Sequence, residues 1–186
     1  EETRDASPED CARAIGSPGV TWINVDGLGN EESVHRIGEL LGLHPLTVED
    51  IFNTGQRPKA EDFGFYLFFA LRMLTYDEAA RTVGNRNLSV VLGEGCVVTF
   101  QDGVDGDPLN PVRERIRSGK GRIRGEGADY LAYAVMDSVI DEYFGVLEKL
   151  GDHIEDLDDR ILSAPDGAHM KDLHLLKREM LFLRKA

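Results

Sequence analysis

The sequence predicts an α/β protein whose sheet contains an antiparallel meander and is followed by a pair of long helices. Three observations carry this reading. The β-branched and aromatic run Val20-Thr21-Trp22-Ile23-Asn24-Val25 is succeeded by an amphipathic helical stretch, the first α/β signal. Three further apolar runs lie between Phe63 and Gln101, separated by short polar breaks. From Ala128 to near Leu162 apolar residues recur at helical spacing.

Each element has its own justification. Residues 1–18 are polar and broken by Pro and Gly, with a helix over Pro8 to Ile15. The first strand, Val20 to Val25, ends at Asp26-Gly27. Asn30 caps a helix through Glu31 and Glu32 that carries Val34, Ile37, Leu40 and Leu41 on one face and stops at Gly42. Pro45, after His44, takes the first position of a short helix, where a missing N–H costs nothing. That helix runs to Phe52, and Asn53 to Lys59 is a polar break.

Within Phe63 to Tyr76, residues Phe65 to Leu71 are apolar on both alternating faces, so this strand is covered on both sides and lies inside the sheet. Asp77 to Asn85 reads as a polar connection, Asn87 to Leu92 as a second strand, Gly93-Glu94-Gly95 as a tight turn and Cys96 to Gln101 as a third strand. Asp102 to Pro108 is a loop, and Asn110-Pro111 caps a short helix carrying Val112 and Ile116.

In the long helix, Tyr143, Leu147, Leu150, Ile154, Leu157 and Ile161 step by 4-3-4-3-4, the seam of a helical hairpin or coiled coil. The opposite stripe is acidic: Glu148, Asp152, Glu155, Asp156 and Asp159, preceded by Asp137 and Asp141. Like charges four apart destabilise a helix, so the stripe needs water or bound cations. Ala164 to Gly167 turns the chain. A last helix returns with Leu173, Leu176, Met180 and Leu183 as its seam and Lys171, Lys177, Arg178, Arg184 and Lys185 on its flanks. It reaches Ala186 in full pattern without a stop signal, which reads as a chain cut from a longer polypeptide. The expected division is an α/β unit over 1–127 and a helical hairpin with the start of a further helix over 128–186, forming one compact whole.

Across the 186 residues, 34 acidic against 21 basic side chains give a net charge of −13. That balance points away from a nucleic-acid surface and towards cations as small partners. Six basic residues between Arg113 and Arg124 have no interleaved aromatics and read as a solvated edge or as ion-pair partners for acidic surface. Cys11 and Cys96 have no paired spacing, and Cys96 reads as a buried small hydrophobe. Nothing resembles a signal peptide, and no apolar run approaches the roughly 18 residues of a membrane span.

Two adjacent carboxylates, Glu49 and Asp50, ride on the short Pro45 helix. Successive helical residues point about 100° apart, so these two diverge and cannot close on one ion from one chain. They read either as a solvated helix face or as two partial sites awaiting carboxylates from elsewhere. The five histidines, His35, His44, His153, His169 and His174, show no tight zinc-ligand spacing.

Taken together, several motifs resemble the cytoplasmic domain of the CorA family of divalent-cation channels, the magnesium and cobalt transporters of bacteria and archaea. They are Thr21-Trp22-Ile23-Asn24, His44-Pro45-Leu46 with Glu49-Asp50-Ile51, Gln56-Arg57-Pro58-Lys59, Pro111 to Arg117, Ala128-Asp129-Tyr130-Leu131, and Leu176-Lys177-Arg178 through Leu183-Arg184-Lys185. The likeness covers everything after about residue 20, in order and at the right spacings. It implies an α/β/α sandwich with a mixed sheet, an acidic helical hairpin, and a stalk helix leading to two membrane spans beyond Ala186. It further implies a homopentamer at the cytoplasmic face of the cell membrane, with Gly-Met-Asn at the end of the first span as transport signature.

Carried over residue by residue, the family's regulatory magnesium ligands fall on Glu49, Asp50 and Asp137, with a further carboxylate beyond Ala186 on a neighbouring subunit. Weakly held Mg²⁺ is the implied ion, and Co²⁺, Ni²⁺ or Zn²⁺ are the other physiological cations left open. Three other readings remain: a carboxylate-pair hydrolase using Glu49 or Asp50 with Asp137, a purely structural oligomerisation module, and a zinc-handling relative of the same superfamily.

Overall fold

The computed structural model describes residues 1–103, 107–163 and 167–184. The chain runs α1 (Pro8–Ile15), β1 (Thr21–Asp26), α2 (Glu31–Leu40), α3 (Pro45–Phe52), β2 (Lys59–Asp62), β3 (Tyr66–Asp77), β4 (Thr82–Gly93), β5 (Cys96–Gln101), α4 (Asn110–Ser118), α5 (Ala128–Ser163) and α6 (Gly167–Leu183). The expected turn at Ala164-Pro165-Asp166, the centre of the Asp102 to Pro108 loop, and Lys185 with Ala186 lie outside the described residues.

The five strands form one mixed sheet in the order β1-β5-β4-β3-β2. β3, β4 and β5 make the expected antiparallel meander. β1 joins parallel to β5, Thr21 opposite Cys96 and Asp26 opposite Gln101. Successive strand residues face opposite ways, and that alternation sorts the core into two layers. Phe68, Ala70, Val91, Val98 and Phe100 pack with Cys11 of α1, Val34 and Ile37 of α2, and Val48 and Ile51 of α3. Met73, Leu88, Val90 and Val97 face the other way, onto Val112 of α4 and Leu131, Val135 and Val139 of α5. The result is an α/β/α sandwich. A third cluster joins Leu74 and Val83, at the far ends of β3 and β4, to Val146, Leu150 and Leu157 of α5 and Leu176 of α6.

Local signals set several boundaries. Asn30 accepts a hydrogen bond from the Ser33 N–H at 3.1 Å, and Gly42, with φ of 64°, ends α2 in the left-handed conformation. Gly38 lies so close to α3 that a Cβ there would meet the Val48 methyl at 2.9 Å, which lets α2 and α3 approach. No helix among the described residues is long and apolar enough to cross a membrane.

Five expectations change. Lys59, read as the end of a polar break, instead opens a strand, Lys59–Asp62, whose other residues carried no assignment. Among the described residues it pairs only with β3, and a charged edge strand resists pairing with other sheets. Asp77 to Asn85 is mostly strand, because Tyr76 and Val83 pack onto the α5–α6 cluster and carry the hairpin outward. Phe65 lies before β3 rather than in it, and is 64% exposed. Asn110 is the first residue of α4, not its cap; Leu109 holds that position, with its N–H bonded to Asp107 at 2.9 Å.

The fifth change concerns two members of the hairpin seam. Val146, Leu150, His153 and Leu157 face inward, whereas Leu147 and Ile154 are 50% and 41% exposed. Leu150 and Leu157 of the expected seam are buried and Tyr143 and Ile161 pack beside them, but Val146 and His153 take the inward places expected of Leu147 and Ile154, and an apolar count passes over a histidine. In α6, Leu176 is buried while Leu173 and Met180 are exposed. Of the two readings of the basic run, ion pairing holds for three members: Arg113 pairs with Asp107, Arg117 with Glu2 and Glu114, and Arg122 with Glu126.

Candidate metal site

The short helix α3 is fastened from its first turn. His44 occupies the cap position, and its Nδ1 accepts the Leu46 N–H at 3.2 Å, while Pro45 opens the helix. The Tyr66 hydroxyl, at the start of β3, accepts the His44 N–H at 3.1 Å and lies 2.7 Å from the Thr47 hydroxyl. Phe63 stacks between, with ring centroids 4.7 Å from Tyr66 and 5.9 Å from His44. Thr47, Val48 and Ile51 face the sheet, which leaves Glu49 exposed and Asp50 partly so.

The two carboxylates diverge as their helical positions require. Glu49 stands at the rim of a groove of about 440 Å³ shared with His35 and Glu39 of α2. Asp50 points towards β2, where Lys59 Nζ lies 2.6 Å from its Oδ2 and 3.0 Å from Glu61 Oε2. Lys59 and Glu61 are two residues apart on β2 and so share a face. Partial burial works against the Lys59 ammonium, but the bonds from Asp50 and Glu61 outweigh it and hold its pKa above the ordinary value.

The backbone beyond α3 is drawn in as well. Gln56 Nε2 donates to the Asp50 carbonyl at 2.6 Å, and Arg72 of β3 donates to the Gln56 and Gly55 carbonyls at 2.7 and 3.1 Å. Gln56 Oε1 and Arg72 Nε are buried and have no hydrogen-bond partner among the described residues, an acceptor and a donor on neighbouring segments.

Asp137 belongs to α5, in the layer across the sheet. Tyr133, one turn earlier and exposed, donates its hydroxyl to Asp137 Oδ1 at 3.2 Å. That bond to a carboxylate holds the phenol above its ordinary pKa. The sheet therefore separates Asp137 from Glu49 and Asp50, and an acid–base pair between them cannot form within one chain. Among the described residues, no group of three His, Cys, Asp or Glu side chains is placed to hold a metal ion.

Histidine chemistry goes elsewhere. His44 caps α3, His35 packs on Phe52 with centroids 5.4 Å apart, and His153 is buried beside Tyr76. What the three predicted carboxylates offer is one hard oxygen donor group apiece. Such donors suit a hydrated Mg²⁺, which keeps several waters and takes one or two carboxylates. Sequence reasoning missed Lys59 as the partner of Asp50, because the contact runs through a strand whose composition reads as a break.

The profile described as CorA-like Mg²⁺ transporter protein matches residues 17–186. The chain is similar to the cobalt/magnesium transport protein CorA of Thermotoga maritima, 44% identical over 165 residues that cover 89% of this chain and 47% of that protein. It is 27% identical to the putative metal ion transporter YfjQ of Bacillus subtilis over 173 residues, which cover 92% of this chain and 52% of that one. The chain thus spans about half the length of the curated relatives it matches. The solved soluble domain of CorA from Methanocaldococcus jannaschii superposes with a TM-score of 0.72 at 17% identity, covering 100% of this chain and 70% of that one, a likeness of fold.

Proposed function

The chain belongs to the CorA-like Mg²⁺ transporter family, and on that premise we propose that it is the cytoplasmic regulatory domain of a Mg²⁺/Co²⁺ channel-type transporter. In this reading it senses Mg²⁺ through carboxylates shared between copies of a homopentamer and so gates the pore, which lies in membrane spans outside this chain. The observation that supports the reading is that Glu49 and Asp50 on one layer and Asp137 on the other are wholly or partly exposed, and among the described residues none belongs to a group of three side chains placed to hold a metal. A carboxylate of this kind becomes competent when a neighbour brings a second.

When Mg²⁺ is plentiful, bridging ions hold the ring closed. When it is scarce, the acidic faces repel, since each chain carries −13, and the ring loosens. A site that follows cellular Mg²⁺ is weak, roughly millimolar, or about −4 kcal/mol. In the full-length channel, Asp50→Lys combined with Asp137→Lys should leave the pore open at high Mg²⁺, read as ion flux. Retained closure by Mg²⁺ refutes these residues as the sensor.

A further inference from the structure

We propose that Lys59 is a tethered competitor for the Asp50 carboxylate: an ammonium supplied by the chain itself that a divalent ion must displace, and that sets how much Mg²⁺ is needed. The inference rests on the regulatory reading above and names the residue that tunes its threshold.

Lys59 Nζ sits 2.6 Å from Asp50 Oδ2. A Mg²⁺ ion bound to that oxygen would lie about 2.1 Å from it, so the ammonium and the ion would stand only a few ångströms apart. Two cations in one partly buried place repel strongly, and occupancy by one excludes the other. The chain also provides the place to which Lys59 withdraws. Glu61 Oε2 is already 3.0 Å from the same nitrogen, and a lysine ammonium has three donors to divide between two carboxylates.

The strand fixes both groups. Lys59 and Glu61 are held opposite Ala70 and Phe68 in the β2–β3 ladder, and the Lys59 head lies 5.7 Å from the Phe68 ring centre. Displacement therefore needs only a shift of the side-chain end, with no movement of backbone.

Two consequences follow. The apparent affinity at Asp50 is the intrinsic affinity multiplied by the fraction of time Lys59 is away. A monovalent ion also gains no charge advantage over the lysine it must replace, so the tether favours divalent ions. Neutralising Lys59 should therefore tighten Mg²⁺ binding by about three- to tenfold, the range expected for losing one partly screened ion pair and its repulsion of the metal.

The test uses the full-length protein and the protection that MgCl₂ gives against limited proteolysis, so that the readout is occupancy and not transport. Lys59→Gln should lower the midpoint by about three- to tenfold, and Lys59→Arg, which keeps the cation, should not lower it. Lys120→Gln removes an equal charge from an exposed lysine in the α4–α5 connection and should leave the midpoint in place. Glu61→Gln should raise the midpoint, an effect that vanishes in the Lys59→Gln background.

A Lys59→Gln midpoint equal to wild type overturns the proposal. So does a shift of the same size from Lys120→Gln, or a Glu61→Gln effect that persists without Lys59. Asp50→Asn separates the two readings: if it abolishes protection while Lys59→Gln changes nothing, Asp50 senses Mg²⁺ without a competitor. If Asp50→Asn leaves protection unchanged, the regulatory reading fails at this residue.

Discussion

Tyr66→Phe is the sharpest probe of how the carboxylate-bearing helix is held. The substitution keeps the ring that stacks on Phe63 and removes one oxygen, which serves both the His44 N–H at 3.1 Å and the Thr47 hydroxyl at 2.7 Å. Thr47 is fully buried and Tyr66 is 4% exposed, so water does not easily replace the lost partner. A buried polar group left unpaired costs about 1–3 kcal/mol, and a typical hydrogen bond contributes about 1 kcal/mol. His44 is exposed and its N–H is partly rehydrated. The Thr47 hydroxyl can turn back to the carbonyl of the cap residue His44, which recovers part of the loss.

The net expectation is a destabilisation of about 2–3 kcal/mol. For a chain of this size that lowers the melting temperature by roughly 4–12 °C. Circular dichroism gives the melt, and amide hydrogen exchange locates the change, which should fall first on α3. A double-mutant cycle with Thr47→Val closes the test, because the phenol loses less once the hydroxyl beside it is gone. A Tyr66→Phe melt within about 2 °C of wild type, or a cost unchanged by Thr47→Val, refutes the idea that Tyr66 fastens α3.

The hairpin seam is tested by comparing neighbours in the isolated chain. Leu150→Ala, at a position 1% exposed, should cost about 2–5 kcal/mol in denaturant unfolding, whereas Leu147→Ala, 50% exposed, should stay within about 0.5 kcal/mol. A comparable cost at both positions would restore Leu147 to the seam read from the apolar spacing. His153 adds a pH dependence: burial first, then the Arg81 guanidinium, hold its imidazole below the ordinary 6.5, outweighing the carboxylates of Asp156 and Asp172. Because the folded pKa is the lower one, this contribution is whole above pH 6.5 and is lost as pH falls below it towards the folded value. His153→Gln should flatten that part of the curve of melting temperature against pH; an unchanged slope would show that the imidazole is not the group responsible.

Much of the fold was legible because local chemistry and packing agree. Pro8–Ile15 and Cys96–Gln101 match the expected bounds, and Asn30, Gly42 and Pro45 punctuate the chain where their backbone preferences require. The misses arise where a residue's role depends on a distant segment. Lys59–Asp62 has the composition of a surface loop and becomes a strand only because β3 offers a free edge. Val83 looks isolated among polar residues until α5 and α6 cover it. At the candidate site, the divergence of Glu49 and Asp50 follows from helical geometry alone. The ion pair between Asp50 and Lys59 does not, since it joins the end of a helix to an edge strand across an irregular connection. The placement of Asp137 beyond the sheet was hidden for the same reason: a sequence gives a helix its periodicity but not the layer it joins.

The parallel pairing of β1 with β5 has a consequence for how the chain is made. Asn24 and Thr99, which meet through a hydrogen bond, stand 75 residues apart in the chain. Local hairpins such as β3–β4 can close early and offer α2 and α3 part of their surface, but β1 has no ladder partner until β5 has left the ribosome. During that interval the edge of β1 stays unpaired, an open strand on which a nascent chain is vulnerable to wrong pairing.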